Sequence, residues 1–149
     1  MKALHDILGI EQAVIVQASC HWPDNHAMLD AIKSSQSAYK GVCIANKDFT
    51  DNDFQDPHDS GVRAVRFNFV SHLGGTPDLD GIKNVLNRVK QLDWHLVIHV
   101  DAEDIITFEE FFLQFKMVIV VNHMGRVPCD LGTGQKTFQI LKEFMQRDN

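Results

Sequence analysis

Two side chains that could do chemistry leave one apolar run together. After Val118, Ile119, Val120 and Val121 the chain reads Asn122-His123-Met124-Gly125-Arg126-Val127-Pro128, a turn marked by Gly125 and closed by Pro128. An imidazole there can polarise a carbonyl or ligate a metal. A guanidinium matches a carboxylate through two parallel hydrogen bonds, which an ammonium cannot copy. Arg66 lies inside the apolar run 62–69, where a solvated surface role does not suit a charge, so it is a second candidate for an anion anchor. Arg63 falls on the opposite face and reads as packing. Each candidate has a structural alternative: an ion pair for Arg66, a hydrogen-bonded core residue for His123, a solvated loop arginine for Arg126.

Such groups need a rigid scaffold. Four β-branched residues at 118–121 predict a strand buried on both faces, as in a parallel sheet. Further strands are expected at 13–16, 41–45, 62–69 and 96–100. Met1, Leu4, Ile7 and Leu8 share a helical face that Gly9 ends. Pro23 and an N-capping Asp24 open a second helix with Met28, Ala31 and Ile32 inward. Segment 50–60 is a helix that Pro57 should shorten or break. Thr76 caps the next, with Pro77 in its first position, Asp78 and Asp80 near its positive end, and a buried stripe of Leu79, Ile82, Leu86 and Val89. A Phe-rich helix at 107–115 follows, then a last one with Phe138, Leu141, Phe144 and Met145 on one side. Asp101 and Asp104 are explained by a helix start. Strict alternation predicts one α/β domain over 1–149 with a parallel sheet and right-handed crossovers, either doubly wound or part of a (β/α)8 barrel. In both, chemistry gathers at the carboxyl ends of strands. No Gly-x-Gly-x-x-Gly or Walker-type loop follows a strand, which weakens the nucleotide-binding option.

A formal charge of −6 without a basic stripe argues against nucleic-acid and anionic-membrane partners, yet leaves room for a small anion on a few placed arginines. The amino terminus does not read as a signal peptide, and no run approaches the ~18 apolar residues of a membrane helix. Cys20, Cys43 and Cys129 lack the spacing of a zinc or redox motif, and reduced thiols in a cytoplasmic protein are expected.

The runs Val14-Ile15-Val16-Gln17-Ala18-Ser19, Gly61-Val62-Arg63-Ala64-Val65-Arg66-Phe67-Asn68-Phe69-Val70 and Asn122-His123-Met124-Gly125-Arg126 together resemble the amidohydrolase-related hydrolases, lactonases in particular. The resemblance spans nearly the whole chain in the right order. It implies a partial (β/α)8 TIM barrel of about five parallel strands with alternating helices, the second to the sixth of the barrel. The implied activity is water attack on the carbonyl of a cyclic ester of a di- or polycarboxylic acid. Arg66 and Arg126 would hold substrate carboxylates, His123 would sit beside the reacting carbonyl, and Ser19 would touch the ligand. From their places at strand ends His99 and His21 are further candidates for ligand contact, helix packing being the alternative for His21. The partner is then a small carboxylate or lactone.

The sequence also departs from that pattern. It has no His-x-His pair and no Gly-Thr-Asp; Ser71-His72 stands where lactonases carry a second arginine, His99 where they carry a tyrosine, and Asn122 where an aspartate is usual. In metal-dependent relatives, histidines on the strands of His99 and His123 are ligands. Two histidines fall short of the three that zinc normally takes, so no cofactor is expected, a divalent ion such as zinc being the one option left open. A whole barrel needs about 250 residues, so the chain reads as a portion of one. Open sheet edges would then favour self-association. A non-catalytic remnant that binds a carboxylate, or that only completes an assembled barrel, is the alternative function.

Overall fold

A computed structural model of the chain describes residues 2–70 and 77–147. Ser71, His72 and the cap expected at Thr76 lie outside the described residues. Five strands form one sheet in chain order: β1 (Ala13–Val16), β2 (Tyr39–Cys43), β3 (Val62–Asn68), β4 (His95–His99) and β5 (Ile119–Val121). The pairs β1–β2, β2–β3 and β4–β5 are parallel. Helices α1 (Lys2–Leu8), α2 (His26–Ser34), α3 (Asn52–Ser60), α4 (Leu79–Val89), α5 (Ala102–Thr107), α6 (Glu109–Leu113) and α7 (Lys136–Met145) alternate with them. This is the α/β strand and helix order expected of consecutive barrel units. The residues cluster into two compact units, Met1–Arg66 with Leu79–His95, and Phe67–Asp78 with Leu96–Asn149.

In the first unit, α2 lies directly on β2 because Gly41 gives it room. A Cβ at Gly41 would come within 2.7 Å of Ile32 Cδ1 and 3.0 Å of Met28 Sδ. Met28 and Ile32 are buried as expected, but the helix begins at His26 rather than at an Asp24 cap. Asp24 instead accepts the His26 N–H in a turn (2.8 Å). Asn25, in the cap position, commits its amide to the end of β2, donating to Ile44 O (2.8 Å) and accepting Ile44 N–H (3.0 Å). Pro57 neither breaks nor shortens α3. Its missing N–H removes one bond in the second turn, and its ring is buried one turn from Phe54, which offsets that loss. Gly61, at φ +115°, closes the helix with a left-handed cap. Helix α4 starts at Leu79, so Pro77 precedes it instead of taking its first position; Ile82, Val85, Leu86 and Val89 form the buried stripe. Arg63 donates to the carbonyls of His58 and Val62, the packing role read for it. Cys43 is buried at the end of β2, and burial pushes its thiol up to about 12; Cys20 is exposed.

The second unit is built around phenylalanine. Phe69 meets Phe108, Phe111 and Phe112 with ring centroids 5.1, 6.2 and 4.9 Å away. The helix expected at 107–115 is two short ones. A capping box of Asp101 and Asp104 starts α5 at Ala102, and Phe108 leaves helical geometry between α5 and α6 with its ring on Phe69. Burial of β5 on both faces also fails: Val118 and Val120 are 53% and 41% exposed. The strand sits at the end of the sheet order, with β4 on one side. Helix α7 buries Thr137 and Ile140, while Met145 is exposed. Phe138, Leu141 and Phe144 line an apolar groove of about 890 Å³ with Val118 and Val121. Cys129 is exposed.

Candidate active site

From β5 the chain enters a left-handed turn. His123, Met124, Gly125 and Arg126 have φ of +52°, +53°, +64° and +49°. For three non-glycine residues this is a costly backbone, and such strain persists only where packing over-determines it. Gly125 supplies the packing. It is buried, and a Cβ there would lie 2.4 Å from Ile105 Cδ1 of α5. Gly125→Ala is expected to cost about 2 kcal/mol through strained φ and overpacking. Urea denaturation monitored by circular dichroism checks it; an unchanged midpoint would show that the turn is not held by this contact.

The turn aims Arg126 back across β4. Its Nη1 donates to Asp101 Oδ1 (2.8 Å) and its Nη2 meets His99 Nε2 (2.9 Å). Asp101 therefore has two tasks, capping α5 and holding the guanidinium. Both partners of that ion pair are 40% exposed, so its worth is in position more than in stability. His99 is buried at the end of β4, with its Nδ1 3.1 Å from Asn68 Oδ1. The exposed His123 ring stands edge-on to His99, centroids 5.2 Å apart. The second unit thus brings together His99, His123 and Arg126. Asn68 was not singled out from the sequence and Asp101 was taken only as a helix start, although a polar residue inside an apolar strand, and an acid just past a strand end, are the signals that could have marked both as site residues.

In the first unit, Arg66 of β3 donates through Nη2 to Ser19 Oγ (2.8 Å). Ser19 opens the short turn Ser19–His21 that follows β1. Burial lowers the Arg66 pKa, but a guanidinium stays charged at neutral pH. His21 is exposed in the same turn, so helix packing does not account for it.

Around His99 the polar neighbours include Asn68 and Arg126. Both ring nitrogens face partners, and one of those partners is a permanent cation. Among the described residues no three His, Cys, Asp or Glu side chains converge as ligands.

Residues 1–149 match the family described as Amidohydrolase. The chain belongs to the amidohydrolase family. Among its relatives, a 2-pyrone-4,6-dicarboxylate hydrolase of Comamonas testosteroni is 40% identical over 98% of this chain and 48% of its own length. A 4-sulfomuconolactone hydrolase of Rhizobium radiobacter is 28% identical over 99% of this chain and 50% of its own. The amidohydrolase chain therefore spans about half the length of the curated relatives it matches. A solved structure from Acinetobacter baumannii, described as a probable 2-pyrone-4,6-dicarboxylic acid hydrolase with citric acid bound, superimposes with a TM-score of 0.80 at 23% identity, covering 95% of this chain and 53% of that one. Its likeness gives the fold: five parallel strands with alternating helices, a partial (β/α)8 barrel.

Proposed function

We propose that this amidohydrolase chain carries the carboxylate-anchoring and carbonyl-polarising groups of a lactonase-like hydrolase acting on a cyclic ester of a di- or polycarboxylic acid. The observation that carries the reading is Arg126, fixed by Asp101 and His99 with His123 beside it at the ends of β4 and β5. The names of its relatives, hydrolases of a pyrone dicarboxylate and of a sulfomuconolactone, support an acidic lactone as substrate. Water adds to the lactone carbonyl, the oxygen carries the developing negative charge, and the acyl C–O bond then breaks to release a carboxylate and the ring oxygen as a hydroxyl, one proton of the water passing to that oxygen and the other to solvent. In this sequence His123 stabilises the carbonyl oxygen as charge grows. Arg126 grips a carboxylate with its remaining N–H groups. Arg66, steadied by Ser19, is assigned to carboxylate binding as well. The chain is read as cytoplasmic; no described helix is long and apolar enough to cross a membrane.

Titration with 2-pyrone-4,6-dicarboxylate by calorimetry, alongside ultraviolet loss of the pyrone, tests the reading. Saturable binding with turnover is the expected result, and no binding at millimolar ligand overturns it. Arg66→Ala should raise KM by about 10–100-fold, the loss of a charged hydrogen bond, with kcat little changed. A second reading, saturable binding without turnover, is favoured by one observation: the sequence contains neither His-x-His nor Gly-Thr-Asp.

A further inference from the structure

We propose that Asn68 is a positioning residue for Arg126, acting through the tautomer of His99. The inference rests on the reading of Arg126 as a carboxylate anchor. A guanidinium has five N–H donors and no acceptor, so the 2.9 Å contact between Arg126 Nη2 and His99 Nε2 has one polarity: Nε2 accepts. A neutral imidazole with a bare Nε2 carries its proton on Nδ1. That Nδ1–H then donates to Asn68 Oδ1 at 3.1 Å. The alternative amide orientation would aim the Asn68 NH2 at an Nδ1 that is itself a donor, so the arginine contact settles the asparagine as well. The relay therefore runs from Asn68 through a buried ring to the guanidinium, and Asp101 holds the other arm of the fork.

The relay has consequences for each member. Free histidine favours the opposite tautomer, with the proton on Nε2. In that form Nε2–H would point at an arginine N–H, a donor against a donor, and Arg126 would lose its contact at the strand end. The acceptor at residue 68 keeps the proton on Nδ1, as the second hydrogen bond of an imidazole generally sets which nitrogen is free. His99 then acts through Arg126. Both its nitrogens are committed within the protein.

The test is long-range 15N–1H correlation spectroscopy of the histidine rings at neutral pH, with His99→Gln identifying the His99 signals. The wild-type protein should show the Nδ1–H pattern at His99. Asn68→Leu, similar in shape but without an acceptor, should shift that ring toward the Nε2–H pattern. The same variant should weaken 2-pyrone-4,6-dicarboxylate binding about tenfold and raise KM by the same factor, with kcat within about twofold. A wild-type His99 in the Nε2–H form overturns the proposal, and this measurement needs no variant to fold. So does an unchanged ring pattern in a folded Asn68→Leu. A shifted ring with undiminished binding overturns the positioning role if Arg126→Met weakens binding. If Arg126→Met does not, the anchor reading itself fails.

Discussion

Replacing His123 by asparagine is expected to lower kcat for opening of 2-pyrone-4,6-dicarboxylate by about 10²–10³-fold, the usual cost of removing one donor to a developing oxyanion. Asparagine is chosen for a backbone reason. Residue 123 sits at φ +52°, and asparagine tolerates the left-handed region better than other residues with a side chain. The exposed ring can therefore be removed without unfolding the turn. KM should change little, because Arg126 keeps its contacts to Asp101 and His99. Steady-state kinetics with circular dichroism on the same samples decides the matter. A variant with wild-type kcat would remove His123 from the chemistry.

The largest loss of stability is expected from Phe69→Ala, about 3–5 kcal/mol for a large aromatic cut from a core. Phe69 is 2% exposed and meets three other phenylalanine rings. Its edge-to-face contact with Phe112 adds to the area it buries. No single neighbour can close such a cavity, since Phe108 is already displaced from helical geometry and α6 is only Glu109–Leu113. The effect should reach the candidate site. Phe69 follows Asn68 in the chain, and its N–H donates to the His99 carbonyl at 2.9 Å. Urea denaturation measures the loss, and a change below about 1 kcal/mol would mean that the cluster repacks.

The strands were legible from the sequence because runs such as Leu96-Val97-Ile98 have few alternatives to a buried β conformation. What those runs could not reveal is whether a neighbour stands on each side. Val118 and Val120 have the composition of a central strand and the exposure of an edge. Pro57 and Phe108 show the two ways in which tertiary contacts override local rules. A buried proline was carried within a helix, and a good helical run was split to place one ring. Among the candidate residues, His123 and Arg126 of the second unit and Arg66 of the first stood out in the sequence because chemistry-bearing side chains were set in apolar or turn surroundings. Asp101 was read as a helix start, which it is, and its bond to Arg126 lay hidden because the two are 25 positions apart. The tautomer of His99 was hidden for the same reason: it follows from who donates to whom in three dimensions.

The three thiols differ in a way that gives the first unit a built-in clock. Cys20 and Cys129 meet solvent, whereas Cys43 is sealed at the end of β2 with its pKa near 12. At neutral pH almost none of the Cys43 thiol is ionised, and only the thiolate attacks an aromatic disulfide reagent. Two equivalents should therefore react at once, and the third only as fast as β2 opens to the reagent. Ligands that grip the protein through Arg66, on the neighbouring strand β3, would slow that third reaction, so its rate reads binding without any need for turnover.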